Sequence, residues 1–136
     1  MKMKLIKILT IGLAVMIFLG AGQCIFAKTT RTIGNYDTIV PGVGTWYSPA
    51  IEKANGSNGV NHNTSIGGGK TLLTAIAYGN NRITDEYALT PRSRVLIPYH
   101  TGENISGRKV RLQLNTPWNV LVDVEAHGTW SPDSED

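Results

Sequence analysis

The chain has 136 residues, one cysteine, and 13 Lys and Arg against 10 Asp and Glu. That length suits one small domain, and a lone cysteine excludes an internal disulfide framework. The net charge of +3 would leave nucleic acid open as a partner, but the placing of the lysines argues against it.

Residues 1–27 have the layout of a secretory signal peptide: Lys2, Lys4 and Lys7 lead an apolar run over 8–22, and Ala27 puts a small residue before polar Lys28. The run is shorter than the roughly 20 residues of a spanning helix, which disfavours a membrane anchor. Cleavage is expected after Ala27, with Gly22 the second choice because Ile25 is bulky for such a site. Cys24 raises the alternative of a lipid-modified thiol, which Gln23 argues against because a small residue is wanted there. A cut after Ala27 removes the one cysteine, and membrane contact is then limited to the signal peptide before cleavage.

The expected product, residues 28–136, is one secreted β domain with a loose N-terminal lead and an acidic C-terminal tail, loose after Trp130. Three lysines leave with the signal, so 10 basic residues face 10 acidic ones. A neutral domain lacks the basic face that phosphate neutralisation requires, so no nucleic-acid partner is expected. Both phenylalanines, Phe18 and Phe26, also leave. The remaining aromatics are Trp46, Trp118, Trp130 and five tyrosines, in a background of Gly, Asn and Thr that suits short strands and tight turns.

In chain order, strand-like segments run over 36–40, 45–48, 60–66, 71–78, 82–89 and 94–99, with Pro41 and Gly42, Asn55 and Gly56, Gly79 and Asn80, and Pro91 marking turns. Residues 52–54 suit one helical turn. Val110, Leu112 and Leu114 alternate with polar neighbours, and Val120, Val122, Val124 and Ala126 do so again after a Pro117-containing break. These last two runs predict an antiparallel hairpin. The fold expected is all-β, an antiparallel β-sandwich of about eight short strands preceded by a cleaved signal helix.

Gly67, Gly68, Gly69, Lys70 and Thr71 look like the end of a phosphate-binding loop, which requires a further glycine where this chain has Thr64. The residues that follow fit a buried strand at least as well as the helix such a loop opens. No nucleotide is expected, and the glycines read as a connection between strands that tolerates positive φ. Asn55, Asn63 and Asn104 begin glycosylation sequons, read here as turn chemistry.

Asp123, Glu125 and His127 would share one face of a continued strand, but alternate side chains stand roughly 7 Å apart, too far to close on one ion. They read as a solvated face, so no metal site is expected. No nucleophile elbow, zinc-protease helix or cysteine nucleophile occurs after residue 27, and no catalytic residues, cofactors or enzymatic activity are expected. An extracellular hydrolase would have to draw on Asp85, Glu86, Glu103, Asp123 or Glu125. The candidate binding surface is aromatic: Trp46, Tyr47, Trp118 and Trp130 fall beside loops and strand ends, where a ring either plugs the core or stacks on a ligand.

The ending Gly128, Trp130, Asp133, Glu135 after a last strand resembles a group of small exported Gram-positive proteins of unassigned function. That resemblance implies a secreted β protein and carries no catalytic residues. Gly44, Thr45 and Trp46 also resemble the Gly-Thr-Trp of lactococcin 972-type secreted bacteriocins. The function expected is binding of an extracellular or cell-surface ligand, with a bacteriocin-like toxin as the alternative.

Overall fold

The computed structural model describes residues 30–135, and the expected signal segment with Cys24 and Ala27 lies outside them. The described chain is all-β, with ten strands: β1 (Gly34–Val40), β2 (Thr45–Tyr47), β3 (Ile51–Glu52), β4 (Gly59–Ile66), β5 (Leu72–Tyr78), β6 (Asn81–Arg82), β7 (Tyr87–Leu89), β8 (Arg94–Ile97), β9 (Lys109–Asn115) and β10 (Val124–Ser131). All pairings are antiparallel. One sheet has the order β1-β10-β4-β8. In the other, β9 pairs β5 on one edge and β2 then β3 on the other, while β5 carries β7 and β6 in turn along its far edge.

The inward faces meet in a core of Val40, Ile66, Leu72, Ile76, Leu89, Ile97, Val110, Leu112, Leu114 and Trp130. With no phenylalanine after residue 27, part of that space is filled by polar groups that satisfy one another. The Tyr36 hydroxyl donates to Asn61 Oδ1 at 2.7 Å, Asn61 Nδ2 donates to Thr74 Oγ1 of the opposite sheet at 3.0 Å, and Asn63 Nδ2 donates to the Tyr36 hydroxyl at 3.1 Å. A buried polar group is tolerated when it is paired, and each of these is. Gly128 belongs to this packing, because a Cβ there would meet the His62 carbonyl oxygen at 2.5 Å and the Tyr36 hydroxyl at 2.6 Å.

The glycine run forms a 3-10 turn, Gly67–Gly69, with φ of +66° at Gly68 and Gly69, and β5 follows it as a strand. Four other expectations change. The predicted hairpin does not form: β9 and β10 lie in different sheets, and residues 116–123 cross between them. Alternation over 120–126 could not reveal this, since an apolar face says that a strand is half-buried and not which strand it pairs with. Val124 and Ala126 of that run are buried on the strand, aligned with Val40 and Thr38 of β1, Val120 packs against the core from the crossover, and Val122 is exposed. The expected strand over 82–89 divides in two, because the Thr84 hydroxyl accepts the Ile76 N–H at 3.0 Å and so takes the place of a ladder bond.

The expected helical turn at 52–54 is the end of β3, with Lys53 drawn inward. The tail after Trp130 is not loose, at least through Asp133. Lys53 and Asp133 are both 0 % exposed and pair at 2.7 Å. The Lys53 ammonium also donates to the Ser57 and Pro132 carbonyls at 2.7 and 3.3 Å, and its Nζ lies 4.3 Å from the Tyr99 ring centroid. Asp133 accepts the N–H groups of Ala54 at 2.6 Å and Asn55 at 3.3 Å. Every donor of the ammonium thus has an acceptor, which is the condition for burying a charge.

Burial pushes the Lys53 amine below its ordinary pKa, against the opposing pull of Asp133. Burial raises the Tyr36 phenol, opposed by its hydrogen bonds with Asn63 and Asn61, and raises Tyr99, where the Asp133 charge adds to the effect. A phenol that holds its proton more tightly when folded contributes its full stability below the ordinary value near 10 and loses it as pH rises further. Lys53 acts in the opposite sense only below about 10.5, where the unfolded amine still holds its proton. Above that, stability should fall by up to about 1.4 kcal/mol per pH unit for each of the two phenols. In an absorbance titration, phenolate from Tyr36 and Tyr99 should appear together with unfolding; its appearance in the folded protein near pH 10 would contradict the burial argument.

Candidate functional site

At one end of the two sheets, the β1–β2 loop and the crossover from β9 to β10 are fastened together. The Gly42 N–H donates to Asp123 Oδ1 at 3.0 Å, the Val43 N–H to the Val120 carbonyl at 3.0 Å, and the Gly44 N–H to Thr116 Oγ1 at 2.9 Å. Thr116 returns two bonds, from its N–H to the Gly44 carbonyl at 3.1 Å and from its hydroxyl to the Pro41 carbonyl at 2.9 Å. Gly42 is required by contact, since a Cβ there would lie 2.4 Å from the Leu121 carbonyl oxygen. Val43 holds a φ of +47°, which a β-branched residue adopts only under constraint from its surroundings.

That framework presents apolar side chains outward. Trp118 is 85 % exposed, Leu121 77 %, Val43 58 % and Val122 56 %. Scattered exposed apolar residues are ordinary, but four large ones on two bonded loops concentrate exposed apolar side chains at one end of the domain. The fastening bonds and the prolines at 41 and 117, which carry no N–H, reduce the backbone polarity that contact would have to desolvate.

The four aromatics named from sequence do not form one surface. Trp130 is 2 % exposed and belongs to the core, so as a binding residue it is corrected to a core plug. Its strand position puts the ring on the inward face of β10 with Val124 and Ala126. Trp46 is half-buried against Tyr36, with ring centroids 6.3 Å apart and planes tilted by 47°. Tyr47, also half-buried, is covered by the Arg111 guanidinium 4.7 Å from its centroid. Trp118 alone of the four is exposed. Val43, Leu121 and Val122 were missed, because a Pro-Gly turn hides the first and strand-like alternation the others. The signal available was three apolar residues, 120–122, directly after a proline break.

The expected charged face is divided as well. Asp123 precedes β10 and caps the Gly42 N–H, whereas Glu125 and His127 stay on the outer face of the strand. There His127 Nδ1 lies 2.9 Å from Asp37 of β1 and its Nε2 lies 3.7 Å from Glu125. His100 pairs with Asp85 at 2.9 Å, on the surface.

No family model and no curated protein matches the chain. Among solved structures it is similar to the crystal structure of Yersinia pseudotuberculosis-derived mitogen, with 15 % identity, a TM-score of 0.42, and coverage of 79 % of this chain and 90 % of that one.

Proposed function

We propose that this is a secreted β-sandwich protein that acts by binding at a cell surface, with no chemistry of its own, and that the apolar loop end carrying Val43, Trp118, Leu121 and Val122 is the part that docks. The exposure of those four side chains on a hydrogen-bonded loop pair is the observation that supports this reading. Burying one such side chain contributes roughly 1.5–3 kcal/mol, so the four together supply roughly 6–12 kcal/mol against the cost of association. The occupant favoured is the lipid interface of the cell envelope, because an exposed tryptophan beside exposed aliphatic side chains suits the depth of lipid headgroups.

The double variant Trp118→Ser, Leu121→Ser should leave the melting temperature nearly unchanged and lower retention on bacterial cells and on phosphatidylcholine vesicles at least tenfold. Equal retention of variant and native protein would refute the role of the loop end. Retention on cells but not on vesicles would replace lipid by a surface protein or polymer. The same exposed end also supports a second reading, a bacteriocin-like toxin, which growth inhibition of competitor strains by the purified protein would favour over simple binding.

A further inference from the structure

On the outer face of the β1-β10-β4-β8 sheet, toward the end away from the apolar loops, a recess of about 60 Å³ is lined by Arg31, His62, Arg94, Thr129 and Ser131, with Ile33 and Val60 among its apolar walls. The sheet register creates it. Arg94 of β8 is the direct neighbour of His62 of β4, and His62 is the direct neighbour of Thr129 of β10. Directly opposed residues on one face have Cβ atoms about 4.5–5.5 Å apart, so a guanidinium, an imidazole and a hydroxyl stand in one row across three strands. Arg31, from the lead before β1, adds positive charge to the same recess while its guanidinium donates to the Ser134 carbonyl at 3.3 Å.

Two properties set this row apart from the other charged groups. The recess has no acidic residue in its lining, although the domain as a whole is balanced in charge. The side chains of His62 and Arg94 make no hydrogen bond or ion pair among the described residues, whereas His100, His127, Arg82 and Arg108 each face a carboxylate. Unused donors of one sign around a recess are complementary to an anion.

We infer that this recess binds a phosphate group. Donors reach it from three separate strands, so they approach from different directions. A phosphate offers acceptor oxygens in a tetrahedron, and the forked guanidinium matches two of them at once. A carboxylate offers two oxygens in one plane and would leave part of the row unused. The phosphate can be a free ion or an ester on a surface polymer, and the site is independent of the apolar loop end.

The test is titration calorimetry of the secreted protein with glycerol phosphate, inorganic phosphate and glucuronate. Saturable binding of a phosphate is expected, weakened at least tenfold in Arg94→Gln and in His62→Ala and unchanged in Lys70→Gln, whose exposed amine follows the glycine turn beyond the recess. Both substituted side chains in the recess are exposed, so the folded state is retained, which an unchanged melting temperature verifies. Tighter binding of glycerol phosphate identifies an ester as the ligand, and tighter binding of inorganic phosphate identifies the free ion. Absence of saturable binding, indifference to Arg94→Gln, or glucuronate binding as tight as phosphate overturns the inference.

Discussion

Asp133→Asn should lower the unfolding free energy by about 3–5 kcal/mol, because it removes one charge of a fully buried pair and leaves the other without a counter-charge. The amide keeps the shape of the carboxylate but presents a donor toward the Lys53 ammonium or the Ala54 N–H, both of which are donors themselves. A domain of this size has roughly 5–15 kcal/mol of stability in all, so the variant should be marginal or unfolded at 37 °C. Urea denaturation measures the difference, and a loss under about 1 kcal/mol would mean that the pair is solvated in solution. Because an unfolded variant gives little information, the double change Lys53→Met, Asp133→Leu provides the control: replacing both charges by apolar groups should recover much of the loss. The consequence concerns the end of the chain. Asp133 lies two residues past β10, yet it ties the chain end to the segment between β3 and β4, so removing residues 133–136 should destabilise the domain much as Asp133→Asn does.

Trp130→Ala and Trp118→Ala should separate cleanly, although both remove the same side chain. Trp130 lies in the core between the sheets, where a Cβ on Gly34 would already come within 3.0 Å of the indole nitrogen. Truncation there leaves a cavity and should cost about 3–5 kcal/mol. Trp118 stands in solvent, and its loss should change stability by no more than about 0.5 kcal/mol while weakening attachment to cells. Thermal unfolding and cell retention measured on both variants give a two-by-two result. A stable Trp130→Ala that fails to bind would return that ring to the surface, and an unstable Trp118→Ala would mean that the exposed loops belong to the fold.

The stretch around Trp118 also shows where reading from sequence stops. Val110, Leu112 and Leu114 were legible as a strand because their alternation is local and their partners, β5 and β2, confirm the inward face. Val120 and Val122 alternate just as well, yet lie in a crossover. Their spacing is the same in both settings, and the difference lies in which strand is near enough to accept a ladder bond. Lys53 is the converse case. Nothing next to it announces burial, since its counter-charge is 80 residues away. The phosphate-like glycine run was legible for the opposite reason: its missing first glycine at Thr64 and the strand after it are both local facts.

From its sequence this protein is readable as an all-β chain with antiparallel strands broken by glycine and proline turns, because backbone sterics and side-chain alternation act over a few residues. Which tryptophan faces water, which lysine is buried, and that His62, Arg94 and Thr129 form one row follow from pairings between residues tens of positions apart. Such pairings are set by the competition of whole strands for one core, and only the folded chain resolves it.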